Sequence, residues 1–291
     1  MKKLFILCLL LSSFPHLVMG SDYITWMGCG ISKKAFMDTL ATVYTEKTGT
    51  LFRMAGGGAS KGIRLTAAGR SDLGGTCRHR ILDAEHQPIA VEQNVNMVLV
   101  GWDALVVMVY KDNPVSSLSL NQVRRIFSGE INNWSDVGGR DESILLLGRE
   151  GKTSGVGYMF RLMVMQDADF TFPAGSKLFR SSGPLEEVLE RRINYQAGIA
   201  VSGVSSAKKR TVKLLAIDGV KPTKANVASG QYPLFRPLYL AVSKQPNRKT
   251  QQFVEFVLSA AGQAIVSAEG TVNRQEGAYL QSQWQAGHPA P

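Results

Sequence analysis

Three short segments of this 291-residue chain set glycine, hydroxyl and basic residues where a strand hands over to a helix. They are Gly28-Cys29-Gly30-Ile31-Ser32, Gly57-Gly58-Ala59-Ser60-Lys61 and Thr153-Ser154-Gly155. Backbone N–H groups at such a junction lack intrahelical acceptors, and the helix dipole favours negative charge there. One glycine turn is ordinary loop chemistry. Three of them, with Arg149 shortly before the third, describe an anion cradle. The planar fork of arginine grips two oxygens of a carboxylate, sulfate or phosphate, which a lysine ammonium does not.

Two nearby patterns suggest catalysis. Gly151-Lys152-Thr153 resembles the end of a phosphate-binding P-loop, but the glycine which that motif needs before Gly151 is replaced by Leu146. Gly58-Ala59-Ser60-Lys61-Gly62 fits the serine-hydrolase elbow, so a secreted hydrolase using Ser60 is an alternative reading. That chemistry needs a histidine well after an acid, whereas His79 and His86 follow the serine closely and His288 lies in the tail. With so few histidines no metal site is expected, and no cofactor motif is present.

Residues 1–20 read as a secretory signal peptide: Lys2 and Lys3, the apolar run Leu4 to Leu11, then the small residues Val18 and Gly20 before Ser21. No small residues precede Cys8, which argues against a lipoprotein. No later run approaches eighteen uncharged apolar residues, so the expectation is a periplasmic protein, not membrane-spanning and monomeric. Apolar residues make up 44% of the chain, which excludes disorder. Lys and Arg number 33 against 23 Asp and Glu, and removal of the signal leaves a net charge of +8. The basic residues are scattered with few aromatics between them, which points to a small anionic ligand and not to nucleic acid. A basic structural or adhesion protein is the other reading of that charge. Two cysteines remain, Cys29 and Cys77, at a spacing that matches no zinc pattern. A single disulfide is the default expectation outside the cytoplasm.

The elements that must position these residues alternate. Strand patterns at Tyr23–Met27, Thr50–Met54 and Asp72–Gly75 are separated by helical stretches, the first opened by Ser32 as N-cap and closed by Gly49. Ala104 to Tyr110 is an unbroken apolar run, the mark of a buried strand. Ile144–Leu147 delivers Arg149, and a helix carries Tyr158, Phe160 and Met163. A charged helix at Glu186–Arg191, strands at Ala197–Val201, Lys213–Ile217 and Leu238–Val242, and an amphipathic helix at Thr250–Val266 complete the pattern. Strand, glycine turn and helix in repetition trace a parallel α/β sheet.

Several segments together carry a family resemblance: Gly57-Gly58-Ala59-Ser60-Lys61-Gly62-Ile63, Asp112-Asn113-Pro114-Val115, Ile126 to Trp134, Val137-Gly138-Gly139, Arg149 with Ser154-Gly155, and Gln231 to Tyr239. On these the chain resembles the substrate-binding proteins of the phosphate ABC transporter, from about Gly28 to about Ala268. The resemblance implies a non-catalytic, two-lobed type II periplasmic binding protein fold, with two crossover hinge strands and the ligand between the lobes. Lobe 1 would be 21–105 plus 237–291, and lobe 2 106–236. The implied ligand is phosphate or a related oxyanion, and the implied partner an ABC permease or a periplasmic sensor domain. The implied site has backbone donors at Gly30, Ile31, Ser32, Ser60, Ser154 and Gly155. It adds hydroxyls from Ser32, Ser60, Thr153 and Ser154, the Ala59 turn, Arg149 as the bidentate cation and Arg78 as a second. Where relatives present Ser or Thr, this chain has Gly30, Ile31, Ala59 and Val156. A phosphate oxygen left unpaired in a dry cleft costs about 1 to 3 kcal/mol. Cys29 stands in the first ligand loop and Cys77 where relatives often carry serine. The implied disulfide therefore has an alternative, a reduced pair that contributes to a thiophilic ligand, with Arg78 beside it to lower a thiol pKa.

Overall fold

The computed structural model describes residues 23–287, so the expected signal peptide and His288 lie outside the described residues. β1 (Tyr23–Gly28) buries alternate residues, including Ile24 and Trp26, and runs into α1 (Gly30–Ser32). A π turn at Lys33–Met37 joins α1 to α2 (Asp38–Thr48). Gly49, at φ 75°, takes the left-handed conformation that ends α2. The N-cap is Cys29 and not Ser32: the Cys29 sulfur accepts the Ser32 N–H, and Ser32 already lies inside the helix. β2 (Leu51–Gly56), α3 (Ala59–Ala67), β3 (Leu73–Thr76) and α4 (Ala90–Gln93) then lead to β4 (Val95–Tyr110).

The second lobe follows. It contains β5 (Ser117–Leu118), α5 (Leu120–Ser128), β6 (Leu145–Arg149), α6 (Gly155–Phe160), β7 (Lys177–Phe179) and α7 (Ser182–Arg191). After these come β8 (Gly198–Gly203), α8 (Val204–Ala207), β9 (Val212–Leu214), β10 (Ala216–Ile217) and α9 (Lys224–Ala228). A reciprocal capping box between Ser119 and Gln122 starts α5, and Gly129 ends it. The chain returns through β11 (Phe235–Ser243), α10 (Arg248–Leu258), α11 (Ala260–Ala268), β12 (Val272–Asn273) and α12 (Ala278–Gly287).

One sheet threads both lobes in the order β2-β1-β3-β11-β4-β8-β6-β7. β1 pairs in parallel with β2 and β3, and β6 with β7 and β8, as the strand–turn–helix repeat implies. The antiparallel strands β4 and β11 join the two halves. β4 is longer than its apolar run suggested: Val95 to Ala104 pairs with β11, and Leu105 to Val109 pairs with β8. Every residue from Val100 to Val109 is buried, because both faces of the shared strand are covered. Asp103 on this strand pairs with Arg236 of β11 at 2.9 Å and accepts both the N–H and the hydroxyl of Ser205 in α8. The charged helix begins at Ser182, four residues before the sequence pattern detects it. The single helix expected over Thr250–Val266 is two, because Ser259 turns extended at ψ 162° and caps α11.

A candidate anion-binding cleft

Four helices begin at one cleft between the lobes. Their N-caps are Cys29 for α1, Gly58 for α3, Ser154 for α6 and Ser181 for α7. Gly58 has φ 86°, a left-handed conformation that suits glycine and turns the chain from β2 into α3. The side chains of Cys29 and Ser154 each satisfy an N–H inside the first turn, that of Ser32 and that of Gly157. The earlier N–H groups of each helix have no intrahelical acceptor and are available to a ligand.

The cleft encloses about 750 Å³. Among the described residues its charged lining is Lys34, Lys61, Arg149 and Arg180, with no carboxylate. Arg149, the last residue of β6, is 7% exposed. Its Nη1 donates to Ser182 Oγ at 2.8 Å and its Nη2 to the Arg180 carbonyl at 2.6 Å, so α7 orients the guanidinium. The Nε has no hydrogen-bond partner among the described residues. Burial lowers the Arg149 pKa from its usual value, opposed by the charges at Cys77 and Cys29. Glu150, next to it in sequence, pairs instead with Arg180 at 3.3 Å.

Lys34 Nζ reaches Ser206 Oγ in the other lobe at 3.2 Å, and the lobes also touch along a second rim. Ser60 Oγ donates to the Thr153 carbonyl across the gap at 2.6 Å, and Arg78 Nε donates to the same oxygen at 3.3 Å. Gly155 sits against Cys77, where an added Cβ would come within 2.4 Å of the sulfur. These contacts redistribute the residues that the resemblance assigned to ligand. Gly30, Ile31, Arg149 and Gly155 line the cleft, whereas Ser32, Ala59, Ser60, Arg78, Thr153 and Ser154 do not. Ser32 turns its hydroxyl to Cys29 Sγ at 2.8 Å, and Ser154 caps α6. Arg78 is fully buried and bound bidentately by Glu92 at 2.6 and 3.1 Å, so its charge is neutralised there. The Ser60 hydroxyl gives its proton to a carbonyl and accepts from Arg78 Nη2, the opposite of an activated nucleophile.

The sequence pattern missed Lys34, Ser206 and the run Arg180-Ser181-Ser182-Gly183, all of which line the cleft. The run had a detectable signal. Lys177 to Phe179 is a strand, and Ser-Ser-Gly-Pro is a helix start with proline in the first turn, the same grammar as the three turns that were found.

The cysteines meet at the cleft floor as two free thiols, with their sulfurs 3.0 Å apart. Burial opposes ionisation of Cys29. Hydrogen bonds from Cys77 and from Ser32, with the charge of Arg236, outweigh it and bring that thiol down to about 6. Burial and the neighbouring Cys29 push Cys77 well above the ordinary thiol value. The pair therefore behaves as one thiolate and one thiol that share a proton.

Two lobes on shared strands, closing helix N-termini over a basic cleft, define a periplasmic binding protein. The chain belongs to the PBP superfamily domain family, whose model matches residues 27–261, and within it to the substrate-binding proteins of phosphate ABC transporters. It is 30% identical over 268 residues to a phosphate-binding protein PstS of Pseudomonas aeruginosa, covering 81% of this chain and 80% of that one. It is 26% identical to a Bacillus subtilis protein of the same name, over 74% of this chain and 69% of that one. A Clostridium perfringens structure, described as a phosphate ABC transporter substrate-binding protein with bound phosphate, superposes with a TM-score of 0.76 at 25% identity. That alignment covers 86% of this chain and 99% of the other.

Proposed function

We propose that the protein captures a small oxyanion, phosphate first among them, in the interlobe cleft of an exported receptor and presents it to an ABC permease without catalysing a reaction. The observation that carries this reading is Arg149. It is a buried guanidinium held from behind by α7, with an unpartnered Nε, in a cleft whose charged lining residues are all basic. The relatives supply phosphate and the transport role. The lobes divide at 105/106 and 236/237, the first of which is supported by the change of β4 partner between Ala104 and Leu105. Lys34, Lys61, Arg180 and the first-turn N–H groups of four helices share the remaining anionic charge.

Titration calorimetry with phosphate tests this directly. The wild-type protein is expected to bind one ion, and Arg149→Ala to lose about 2 to 5 kcal/mol of binding free energy. Arg149→Lys, which keeps the charge without the fork, should fall between the two. Undiminished phosphate binding by Arg149→Ala would remove the assignment.

A further inference from the structure

Among the described residues lobe 1 brings no hydroxyl to the lining of the cleft. Its contribution at the floor is sulfur: Cys29 and Cys77, side by side at 3.0 Å, with Arg149 lining the same space. Behind them Arg236 is fully buried, and its Nε and Nη1 have no hydrogen-bond partner among the described residues. We infer that this cleft takes a trivalent, thiophilic oxyacid, of which arsenite is the simplest example, by condensing it onto Cys29 and Cys77 while the basic wall holds the remaining oxygen. The inference rests on the reading of the cleft as an oxyacid site and names a second ligand class for it.

The step balances without an oxidant or reductant. As(OH)3 meets two thiols; two As–O bonds break and two As–S bonds form. The displaced hydroxides leave as two waters, one with the Cys77 proton and the other with a proton taken from solvent, which replaces the one Cys29 has already released. One hydroxyl stays on arsenic, which remains trivalent. A neutral oxyacid also avoids the repulsion that a thiolate at Cys29 exerts on an anion. The lowered Cys29 pKa supplies the nucleophilic thiolate at neutral pH.

Other occupants fit less well. A tetrahedral zinc ion would need further protein ligands beside the two sulfurs. Among the described residues no group of three or more Cys, His, Asp or Glu gathers to hold a metal. A pyramidal centre with two sulfurs and one oxygen asks only for the two thiols. Cys77 is covered by Gly155 from the other lobe, so the ligand enters when the lobes part and is sealed when they meet.

The experiment uses the exported protein, reduced with a phosphine and shown by thiol titration to hold two free thiols. Arsenite is the probe. The expected result is one equivalent bound, a native mass increase of one As(OH)3 less two waters, and an arsenic X-ray absorption spectrum with two sulfur neighbours and one oxygen. Cys29→Ser and Cys77→Ser should each weaken arsenite binding by more than about a hundredfold. Air-oxidised protein that carries the Cys29–Cys77 disulfide should not bind it. An all-oxygen arsenic shell, or equal affinity in either serine variant or in the oxidised protein, overturns the inference. Phosphate binding by the wild-type protein is measured alongside. If phosphate binds and arsenite does not, the thiol site alone fails; if neither binds, the cleft reading fails with it.

Discussion

The two sulfurs make the folded protein sensitive to pH in a direction that can be worked out. The folded pair gives up its first proton near the lowered value of Cys29, about 6, and keeps its second because Cys77 is raised. Unfolded cysteines hold their protons to about 8.5. Between those two values the unfolded chain binds one more proton than the folded one, so the contribution of the pair to stability rises by about 1.4 kcal/mol per pH unit. It is lost as pH falls through the Cys29 value. Above about 8.5 the unfolded chain releases both protons, Cys77 retains its own, and the trend reverses. Urea unfolding of the reduced protein between about pH 6 and pH 8 should show this slope, and Cys29→Ser should flatten it. Parallel curves for the two proteins would mean that no thiolate forms. At this scale the sequence disclosed which residues can do chemistry but not which way they face. Arg149 and the glycine turns were legible because a cradle needs those types. The diversion of Arg78 to Glu92 was not, since the two stand fourteen residues apart with nothing in the pattern to link them.

Elements were more legible than side chains, and the exceptions have physical causes. The helix starts at α1, α3 and α6 are announced by glycine and hydroxyl residues, whereas α7 was read four residues late because its first turn is Ser-Gly-Pro and the apolar period starts only at Leu185. The apolar run marks only half of β4 because Asn96 to Leu99 is exposed or half-buried, while the stretch in the shared region is buried on both faces. The break at Ser259 was invisible because apolar residues keep helical spacing across it, although serine there acts as a cap. Tertiary structure also sets the role of α4. Glu92, its third residue, is 2% exposed and accepts two bonds from Arg78 and one from the Ile81 N–H, so it ties α4 to the loop that follows β3. Glu92→Ala leaves a guanidinium buried without its counter-charge, and should cost about 3 to 5 kcal/mol in urea unfolding. Glu92→Gln, which keeps one acceptor, should cost less. A change below about 0.5 kcal/mol in Glu92→Ala would show that Arg78 finds another partner.

At the scale of the whole molecule, function depends on two bodies joined by β4 and β11 that also touch across the cleft. Asp103 fastens α8 to β4 at the junction, beside the point where β4 changes strand partner. Lys34 reaches Ser206 and Glu186 across the gap, and at another rim the contacts are the Ser60–Thr153 bond, the Arg78–Thr153 bond and the approach of Gly155 to Cys77. The last is the tightest. A methyl at residue 155 would lie 2.4 Å from Cys77 Sγ and 3.4 Å from Ala59 Cβ, so the first turn of α6 could no longer reach the floor of lobe 1. Overpacking of this kind costs about 1 to 3 kcal/mol, and here it falls on the closed arrangement alone, because the clash disappears when the lobes part. Gly155→Ala should therefore keep the stability of the unliganded protein while it weakens ligand binding by about tenfold for each 1.4 kcal/mol of strain. Solution scattering should show a fall in the radius of gyration of the wild-type protein on saturation with phosphate, and a smaller fall or none in the variant. If Gly155→Ala compacts as fully as wild type and binds as tightly, the lobes do not need this contact to close. The ligand would then be held by one lobe with the other as a loose cover.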